Sequence, residues 1–170
     1  THFTPLELQL LTTIADFAAI AIERSYYIRV LKRVASLDPL TQVFNRRIVV
    51  RHIEREKERV KRYGTVFSVM MIDLNGFKSI NVTHGHAVGD RLLKDVAALL
   101  KEHVRKVDTV SRYGGDEFLL LFPDADLPAA ELARDRIQAA VKTYNLHHDP
   151  PIELSIGLYQ ADQHTVDDIV

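Results

Sequence analysis

The stretch that decides the fold reads TVSRYGGDEFLLLF over residues 109–122. Two runs rich in aliphatic, aromatic and β-branched residues, 109–113 and 117–122, flank Gly114-Gly115, and this arrangement predicts a hairpin with a two-residue turn. Asp116 and Glu117 directly follow the glycines. The sequence therefore predicts a β-hairpin that carries acidic groups at one end of a sheet.

Strands and helices alternate on both sides of this hairpin. The apolar run Val66–Ile72 ends on Asp73, which predicts a buried strand, and Ile152–Tyr159 predicts the last strand. Helical spacing of apolar residues predicts four helices, over 46–62, 76–82, 88–106 and 127–144. Helices that cover a sheet in this order make an α/β layer fold.

The first 36 residues read as one long helix. Thr4-Pro5-Leu6-Glu7 has the pattern of a helix start, and no Gly or Pro follows until Asp38-Pro39 predicts a stop. Such a helix favours a parallel coiled coil with a second copy, and the expected seam contains Ile14, Phe17, Ile28 and Leu31. The alternative is a helix folded back on the following domain. The predicted domains are residues 1–36 and 37–170.

The composition excludes several classes of protein. The 22 Lys and Arg balance 23 Asp and Glu to a net charge of −1, which argues against a nucleic-acid surface. The absence of cysteine excludes disulfide scaffolds and thiolate sites, and it fits the cytoplasm. The most apolar stretch, Ile14–Ile22, contains Asp16 and is shorter than the roughly 20 residues of a membrane span. We expect a cytoplasmic chain without nucleic-acid or membrane contact.

Acidic residues at the predicted strand ends suggest a cation site. Asp73 ends the central strand and Asp116 lies beside the glycines, where oxygen ligands for a hard cation such as Mg²⁺ are expected. The run 74–78 opens a helix whose first N–H groups could receive phosphate oxygens, with Lys78 adding a positive charge. This combination indicates metal-assisted phosphoryl transfer. The alternative is an ordinary hairpin turn with solvated acids.

Four ordered blocks and a short match in the late strand carry a family resemblance over residues 38–170. Residues 112–118, RYGGDEF, resemble the signature of the GGDEF family, the diguanylate cyclases. The other blocks that match in the family's order are DPLTQVFNRR at 38–47, DLNGFKSIN at 73–81, GHAVGDRLL at 85–93 and, in the late strand, SIG at 155–157. The resemblance implies an α/β (α+β) palm-like nucleotidyl cyclase domain, with a mostly antiparallel central sheet flanked by helices.

The resemblance also implies an activity. Each domain of a homodimer would bind one GTP, and two GTP would be condensed into cyclic di-GMP and pyrophosphate. Asp73, the Leu74 carbonyl and Asp116 would hold Mg²⁺ or Mn²⁺, with Asp116 also accepting a proton. Lys78 would bind phosphate and stabilise its charge in the transition state, and Glu117 would assist catalysis by supporting the loop.

Further residues are expected to contact the substrate. Asn81 and Asp90 would recognise the guanine edge, since a carboxylate can accept both the N1 and N2 hydrogens that adenine does not offer. Phe77, Gly114 and Gly115 complete the substrate-binding set implied by the resemblance.

A second group of residues precedes the hairpin. Arg105 and Asp108 form an R-x-x-D pattern at the distance from Gly114 that the family uses for its inhibitory product site. A guanidinium can bind phosphate or guanine through two hydrogen bonds. Arg136 on the next helix is expected as an additional arm. The alternative is a surface ion pair of little energetic value.

The sequence also departs from the family pattern. Gln42 and Val43 replace the usual Gly and Leu of the first block. The last helix that the resemblance implies, with its phosphate-binding Lys and Arg, is not found within residues 1–170. Residues 1–36 resemble the final helix of a GAF sensor domain, so we expect a middle piece of a sensor–cyclase protein. The alternatives to a cyclase are a non-catalytic module that binds GTP or cyclic di-GMP and a dimerisation module.

Overall fold

The computed structural model describes the backbone of residues 4–34 and 36–168 and the side chains of residues 4–27 and 36–167. The chain divides into two compact units, residues 1–36 and 37–170. The first is a single helix and the second contains a sheet with helices on both of its faces.

The first unit is helix α1, Pro5–Val34. The predicted cap is confirmed, because the Glu7 N–H donates to Thr4 Oγ1 and the Thr4 N–H donates to Glu7 Oε2 at 2.7 Å. Ile14 and Phe17 of the expected seam are 62% and 69% exposed within this chain. The other two seam residues, Ile28 and Leu31, lie outside the described side chains.

Apolar residues cover more of α1 than one seam. Leu8, Leu11 and Ile22 are also exposed, on another side of the helix, and so is Ile20, one turn beyond Phe17. Within Pro5–Tyr27, an 18-residue window has a mean hydropathy of 1.4 and none of that window is buried, so by length and composition alone this segment could cross a membrane. The expectation of no membrane contact rested on residues 14–22 alone, whereas the apolar segment of the helix is longer. One such helix is weak evidence for a span, particularly with Asp16 near its middle.

The second unit contains a five-stranded sheet in the order β1-β3-β4-β2-β5. Among the strand pairs of the described residues, β1–β3 is parallel and the other three are antiparallel, so the predicted mostly antiparallel sheet is confirmed. The elements of this unit are β1 Phe44–Asn45, α2 Arg46–Tyr63, β2 Phe67–Leu74, α3 Phe77–His84, α4 His86–Glu102, β3 Thr109–Arg112, β4 Glu117–Pro123, α5 Leu127–Asn145, β5 Leu154–Ala161 and a short 3₁₀ turn Val166–Asp168.

Two apolar cores lie on opposite faces of the sheet. Strand β4 shows why, because alternate residues of a strand point to opposite faces. Phe118 and Leu120 pack in the core that contains α4 and α5, whereas Leu119 and Leu121 pack in the core that contains α2. All four side chains are buried. The observed register pairs Ile72 with Phe118 and Asp73 with Glu117, which places the hairpin beside the end of β2.

The predicted two-residue turn at Gly114-Gly115 is wrong. Arg112 pairs with Phe118, so residues 113–116 form a four-residue connection. The N–H groups of Tyr113 and Gly114 both donate to the Glu117 carbonyl, at 2.8 and 3.2 Å. Neither glycine has a positive φ, as the tight hairpin turns would require. The longer loop frees the Asp116 backbone to contact the neighbouring strand.

Three other predicted boundaries also shift. Helix α3 begins at Phe77 because Gly76 takes a left-handed φ of 70° and caps the helix. Helix α4 ends at Glu102, since the Arg105 N–H donates to the Asp108 carboxylate and closes a separate turn. Strand β5 starts at Leu154, because the backbone of Ile152 is bound to the Asn145 side chain instead of to the sheet.

Candidate functional site

The end of β2 brings together the acidic residues expected to bind a cation. Asp73 pairs with Glu117 of β4 in the antiparallel register, and the Leu74 N–H donates to the Asp116 carbonyl at 3.3 Å. Asp73, Asp116 and Glu117 are all half-buried. Two strand ends and one loop thus place two carboxylates and the Leu74 backbone in one region.

This region offers oxygen ligands only. Among the described residues, no three His, Cys, Asp or Glu side chains are grouped as a metal site. The candidate set is instead Asp73, Asp116 and the Leu74 carbonyl, which suits a hard cation that keeps water or phosphate oxygens as further ligands. The chemistry of these donors fits Mg²⁺ or Mn²⁺ better than a metal that prefers nitrogen or sulfur.

Helix α3 starts two residues beyond this strand end. The first N–H groups of a helix have no acceptor within the helix, and in α3 they follow the end of β2 after only two residues. Lys78 is exposed in the first turn, and Phe77 is half-buried against the main core. Lys78 and the first turn of α3 therefore follow Asp73 closely along the chain, an order that suits a phosphate-binding helix start.

The guanine-binding candidates lie on neighbouring helices. A Cβ at Gly89 of α4 would collide with the Asn81 side-chain oxygen and approach the Phe77 ring to 3.2 Å. Glycine at this position therefore allows α3 and α4 to pack closely. Asn81 is half-buried and the adjacent Asp90 is exposed. Sequence analysis named Asn81 and Asp90 but missed Gly89, which allows the two helices that carry them to pack closely.

A hydrogen-bonded chain behind the loop was also missed. Arg112 Nε and Nη2 donate to the Gly115 carbonyl at 3.0 and 2.7 Å, and its Nη1 donates to Asp38 Oδ1 at 3.2 Å. The same carboxylate accepts from the N–H and hydroxyl of Thr41 at 2.8 and 2.7 Å. Both Asp38 and Arg112 belong to the sequence blocks quoted above, but a pairing across 74 positions left no local signal.

Hydrogen bonds keep the Asp38 carboxylate of this network ionised. Burial acts to raise the pKa of Asp38, but the hydrogen bonds from Thr41 and Arg112 outweigh it, so the pKa lies below its ordinary value. An ionised Asp38 holds Arg112, and Arg112 holds the loop that carries Asp116.

The other side of the loop contacts α2. The Arg46 guanidinium lies 4.6 Å from the centre of the Tyr113 ring, a cation–π contact. At Gly114 a Cβ would collide with the Glu117 carboxylate, so the glycine leaves room for that side chain. These contacts show Glu117 packed against the loop, as expected of a supporting residue.

Arg105, Asp108 and Arg136 share one cavity. This cavity, of 320 Å³, is also lined by small and apolar residues of β4 and α5. Arg105 Nη2 lies 2.9 Å from Asp108 Oδ1 and donates as well to the Pro123 carbonyl at 3.2 Å. The Asp108 side chain is 1% exposed and that of Arg105 is 47% exposed. The structure thus brings the three residues of the expected product site together. Within the Arg105–Asp108 pair, the arginine is the side chain exposed to the cavity.

Comparison with known proteins identifies the same family as these motifs. A family model described as "Diguanylate cyclase, GGDEF domain" matches residues 35–170. Diguanylate cyclase DosC of Escherichia coli K12 is 34% identical over 161 residues, which cover 92% of this chain and 35% of that protein. The chain therefore spans about a third of the length of this curated relative.

Solved structures of similar proteins share the fold. The diguanylate cyclase SiaD from Pseudomonas aeruginosa, solved in complex with its activator SiaC, matches with a TM-score of 0.73 and 30% identity over 91% of this chain and 61% of that one. The coiled coil and GGDEF domain of DgcB from Caulobacter crescentus, solved with c-di-GMP, matches with a TM-score of 0.82 over 94% of this chain and 88% of that one. Its identity of 24% supports the fold alone.

Proposed function

Because this chain belongs to the GGDEF family of diguanylate cyclases, we propose that it is the cyclase part of a signalling protein and condenses two GTP into cyclic di-GMP. The observation that carries the proposal is the shared position of Asp73, Leu74 and Asp116 at the end of β2. Each domain of a homodimer would present one GTP, and the 3′-hydroxyl of one nucleotide would attack the α-phosphate of the other. A second attack in the opposite direction closes the ring, and each of the two attacks releases one pyrophosphate, which balances the reaction.

The residues at the strand end have separate roles in this proposal. Asp73, Asp116 and the Leu74 carbonyl would hold Mg²⁺ or Mn²⁺, which when bound supplies positive charge to the triphosphate. Asp116 accepts the proton of the attacking hydroxyl. Lys78 and the first N–H groups of α3 orient the phosphates and stabilise their developing charge. Glu117 supports the loop from the β4 side.

Guanine selection belongs to the α3–α4 pair. The exposed Asp90 carboxylate accepts the N1 and N2 hydrogens of guanine, and Asn81 hydrogen-bonds the same base from α3. Phe77, Gly114 and Gly115 shape the space around the nucleotide. Because GTP is a cytoplasmic nucleotide, the proposal places residues 37–170 in the cytoplasm.

Dimerisation is assigned to α1. Its exposed apolar residues, Ile14 and Phe17 among them, have no cover within the described unit and fit a second copy of the helix. The further exposed residues Leu8, Leu11 and Ile20 exceed the surface that one two-stranded seam buries. They support the assignment of this segment to the last helix of a GAF-type sensor domain, where additional elements would cover it.

Feedback inhibition is assigned to the Arg105 cavity. Arg105 and Arg136 would bind the phosphates or guanines of cyclic di-GMP, with Asp108 holding Arg105 in place. The same preformed cavity supports the second candidate function, a module that binds cyclic di-GMP without making it.

One experiment separates the two candidates. The chain is incubated with GTP and Mg²⁺, and cyclic di-GMP is measured by chromatography, for the wild type and for Asp73→Asn. The cyclase proposal expects Asp73→Asn to lower turnover about a hundredfold or more, because a neutral amide holds the cation poorly. Asp135→Asn, an exposed change on α5, is the matched control and should retain turnover.

The two candidates give different results. Product formation that depends on Asp73 supports the cyclase. Wild-type rates in Asp73→Asn would contradict the metal assignment. A chain that forms no product but binds cyclic di-GMP through Arg105 would favour the non-catalytic module.

A further inference from the structure

A second cavity opens on the β5 side of the catalytic strand end. It has a volume of 470 Å³, larger than the Arg105 cavity, and lies between the second half of α5 and the segment that enters β5. No residue that lines it belongs to the substrate or product sites described above. The lining residues used below are Asn75, Val141, Lys142, Asn145, Ile152 and Glu153.

Hydrogen bonds hold the walls of this cavity in place. Asn145 Nδ2 donates to the Ile152 carbonyl and the Ile152 N–H donates to Asn145 Oδ1, both at 2.8 Å, which fastens α5 to the approach of β5. The Asn75 N–H donates to the Glu153 carbonyl at 2.9 Å and closes the opposite side. The cavity is therefore formed without a ligand, which lowers the cost of binding one.

The lining presents unpaired charges of opposite sign. Lys142 and Glu153 are both exposed, and within the described part of the chain neither forms an ion pair. A ligand that satisfies both needs an anionic group for the ammonium and hydrogen-bond donors for the carboxylate.

An amide and an apolar surface complete the binding chemistry. Ser155 Oγ donates to Asn75 Oδ1 at 2.6 Å, so the Asn75 amide nitrogen remains the group with hydrogens to offer. Val141 and Ile152 are 8% and 3% exposed and form an apolar wall that suits a planar ring. The site thus combines a carboxylate, an amide donor, a cation and an apolar wall.

From these groups we propose that the cavity is a further guanine-nucleotide site. The N1 and N2 hydrogens of guanine match the Glu153 carboxylate, O6 accepts from the Asn75 amide, and a phosphate binds Lys142. Adenine has no pair of adjacent donors for the carboxylate, so the site selects guanine. Asn75 follows Leu74 directly and Ser155 pairs with Asp73, so a nucleotide bound here contacts the segment that carries the catalytic carboxylate.

The test measures binding where the other two sites are disabled. The chain with Asp90→Ser and Arg105→Ala is titrated with GMP and with AMP in the presence of EDTA, by calorimetry. We expect saturable binding with a preference for GMP. Adding Glu153→Gln should weaken GMP about tenfold or more and abolish the preference, since charged hydrogen bonds to the base are lost. Adding Lys142→Gln should weaken both nucleotides but leave guanosine unchanged.

Controls separate this site from the proposed activity. Lys94→Gln removes an equally exposed lysine on α4 and should leave GMP binding unchanged. Competition of cyclic di-GMP and of GTP against bound GMP shows which nucleotide the cavity takes. The proposal is overturned if GMP does not bind saturably, or if Glu153→Gln binds GMP as well as its parent does. Neither result bears on wild-type turnover, which is measured separately.

Discussion

Strand β3 has an arginine–aspartate pair at each end, and the two pairs differ in what the arginine does. Before the strand, Arg105 lies 2.9 Å from Asp108 and keeps 47% of its side chain exposed. At the end of the strand, Arg112 lies 3.2 Å from Asp38, and both side chains are 17% exposed. The first guanidinium faces a cavity, whereas the second is enclosed and its remaining donors bind the Gly115 carbonyl.

The comparison shows that the surroundings of an ion pair decide its use. An enclosed pair must satisfy all its donors within the protein, and Arg112 does so by fixing the loop that carries Asp116. An exposed arginine held by a buried carboxylate is oriented but still has hydrogens for a ligand. We therefore expect changes at Arg112 to affect turnover and changes at Arg105 to affect inhibition.

The largest expected effect is that of Arg112→Ala. It would leave the half-buried Asp38 without its cation and release the Gly115 carbonyl, at a cost of about 1–3 kcal/mol in stability. A displaced Asp116 should lower GTP turnover about a hundredfold, as small misplacements of catalytic groups do. Turnover and the free energy of unfolding are measured together. Arg112→Lys, which keeps the charge but not the fork of donors, should be intermediate. Unchanged turnover in the alanine variant would contradict the proposal that Arg112 positions the loop that carries Asp116.

The next effect concerns Arg105→Ala. It should weaken cyclic di-GMP binding about tenfold or more while initial GTP turnover stays within about twofold, because the lost hydrogen bonds are charge-assisted and lie outside the catalytic end of β2. Progress curves with added product provide the measurement, and the neighbouring exposed Lys106→Ala is the control. If wild type and variant slow identically as product accumulates, inhibition occurs at the active site and the first pair is only a surface ion pair.

The two pairs also mark what sequence could and could not predict. The R-x-x-D pair is local, three residues apart, so its pattern was visible, and the apolar runs placed Asp73 and Asp116 at the ends of predicted strands. The Asp38–Arg112 pair spans 74 positions and depends on the β1–β3 pairing, which involves only two residues of β1. The turn was mispredicted for a different reason. The glycine pair favours a tight turn, whereas hydrogen bonds from Arg112 to the Gly115 carbonyl and from Tyr113 and Gly114 to the Glu117 carbonyl hold a wider loop.

A pH dependence should distinguish the enclosed pair. The pKa of Asp38 is below its ordinary value of 3.8, so its charge stabilises the fold at pH values above that ordinary value and is lost as the pH falls through the lowered one. Urea unfolding of wild type and Asp38→Asn between pH 7 and pH 3 provides the measurement. The stability difference between them should be constant near neutrality and shrink only in the acid range. A difference that disappears already above pH 5 would contradict the role of the ionised carboxylate.

The smallest effect is expected for Asp108→Asn, and it tests how the exposed pair works. The Asp108 carboxylate is almost fully buried and accepts from both the backbone N–H and the guanidinium of Arg105, at 2.7 and 2.9 Å. In this arrangement it positions the arginine, although the sequence pattern alone also allowed it to accept guanine hydrogens.

An asparagine at this position retains one acceptor oxygen, which can still accept from the Arg105 side chain, but it loses the charge and replaces the second acceptor oxygen with an amide donor, so part of the hydrogen bonding to Arg105 is lost. Cyclic di-GMP affinity should therefore fall about threefold, less than in Arg105→Ala, with GTP turnover unchanged. Equilibrium titration of both variants with cyclic di-GMP decides between the two roles. If Asp108→Asn binds as weakly as Arg105→Ala, the carboxylate itself must contact the ligand, and the pair opens on binding.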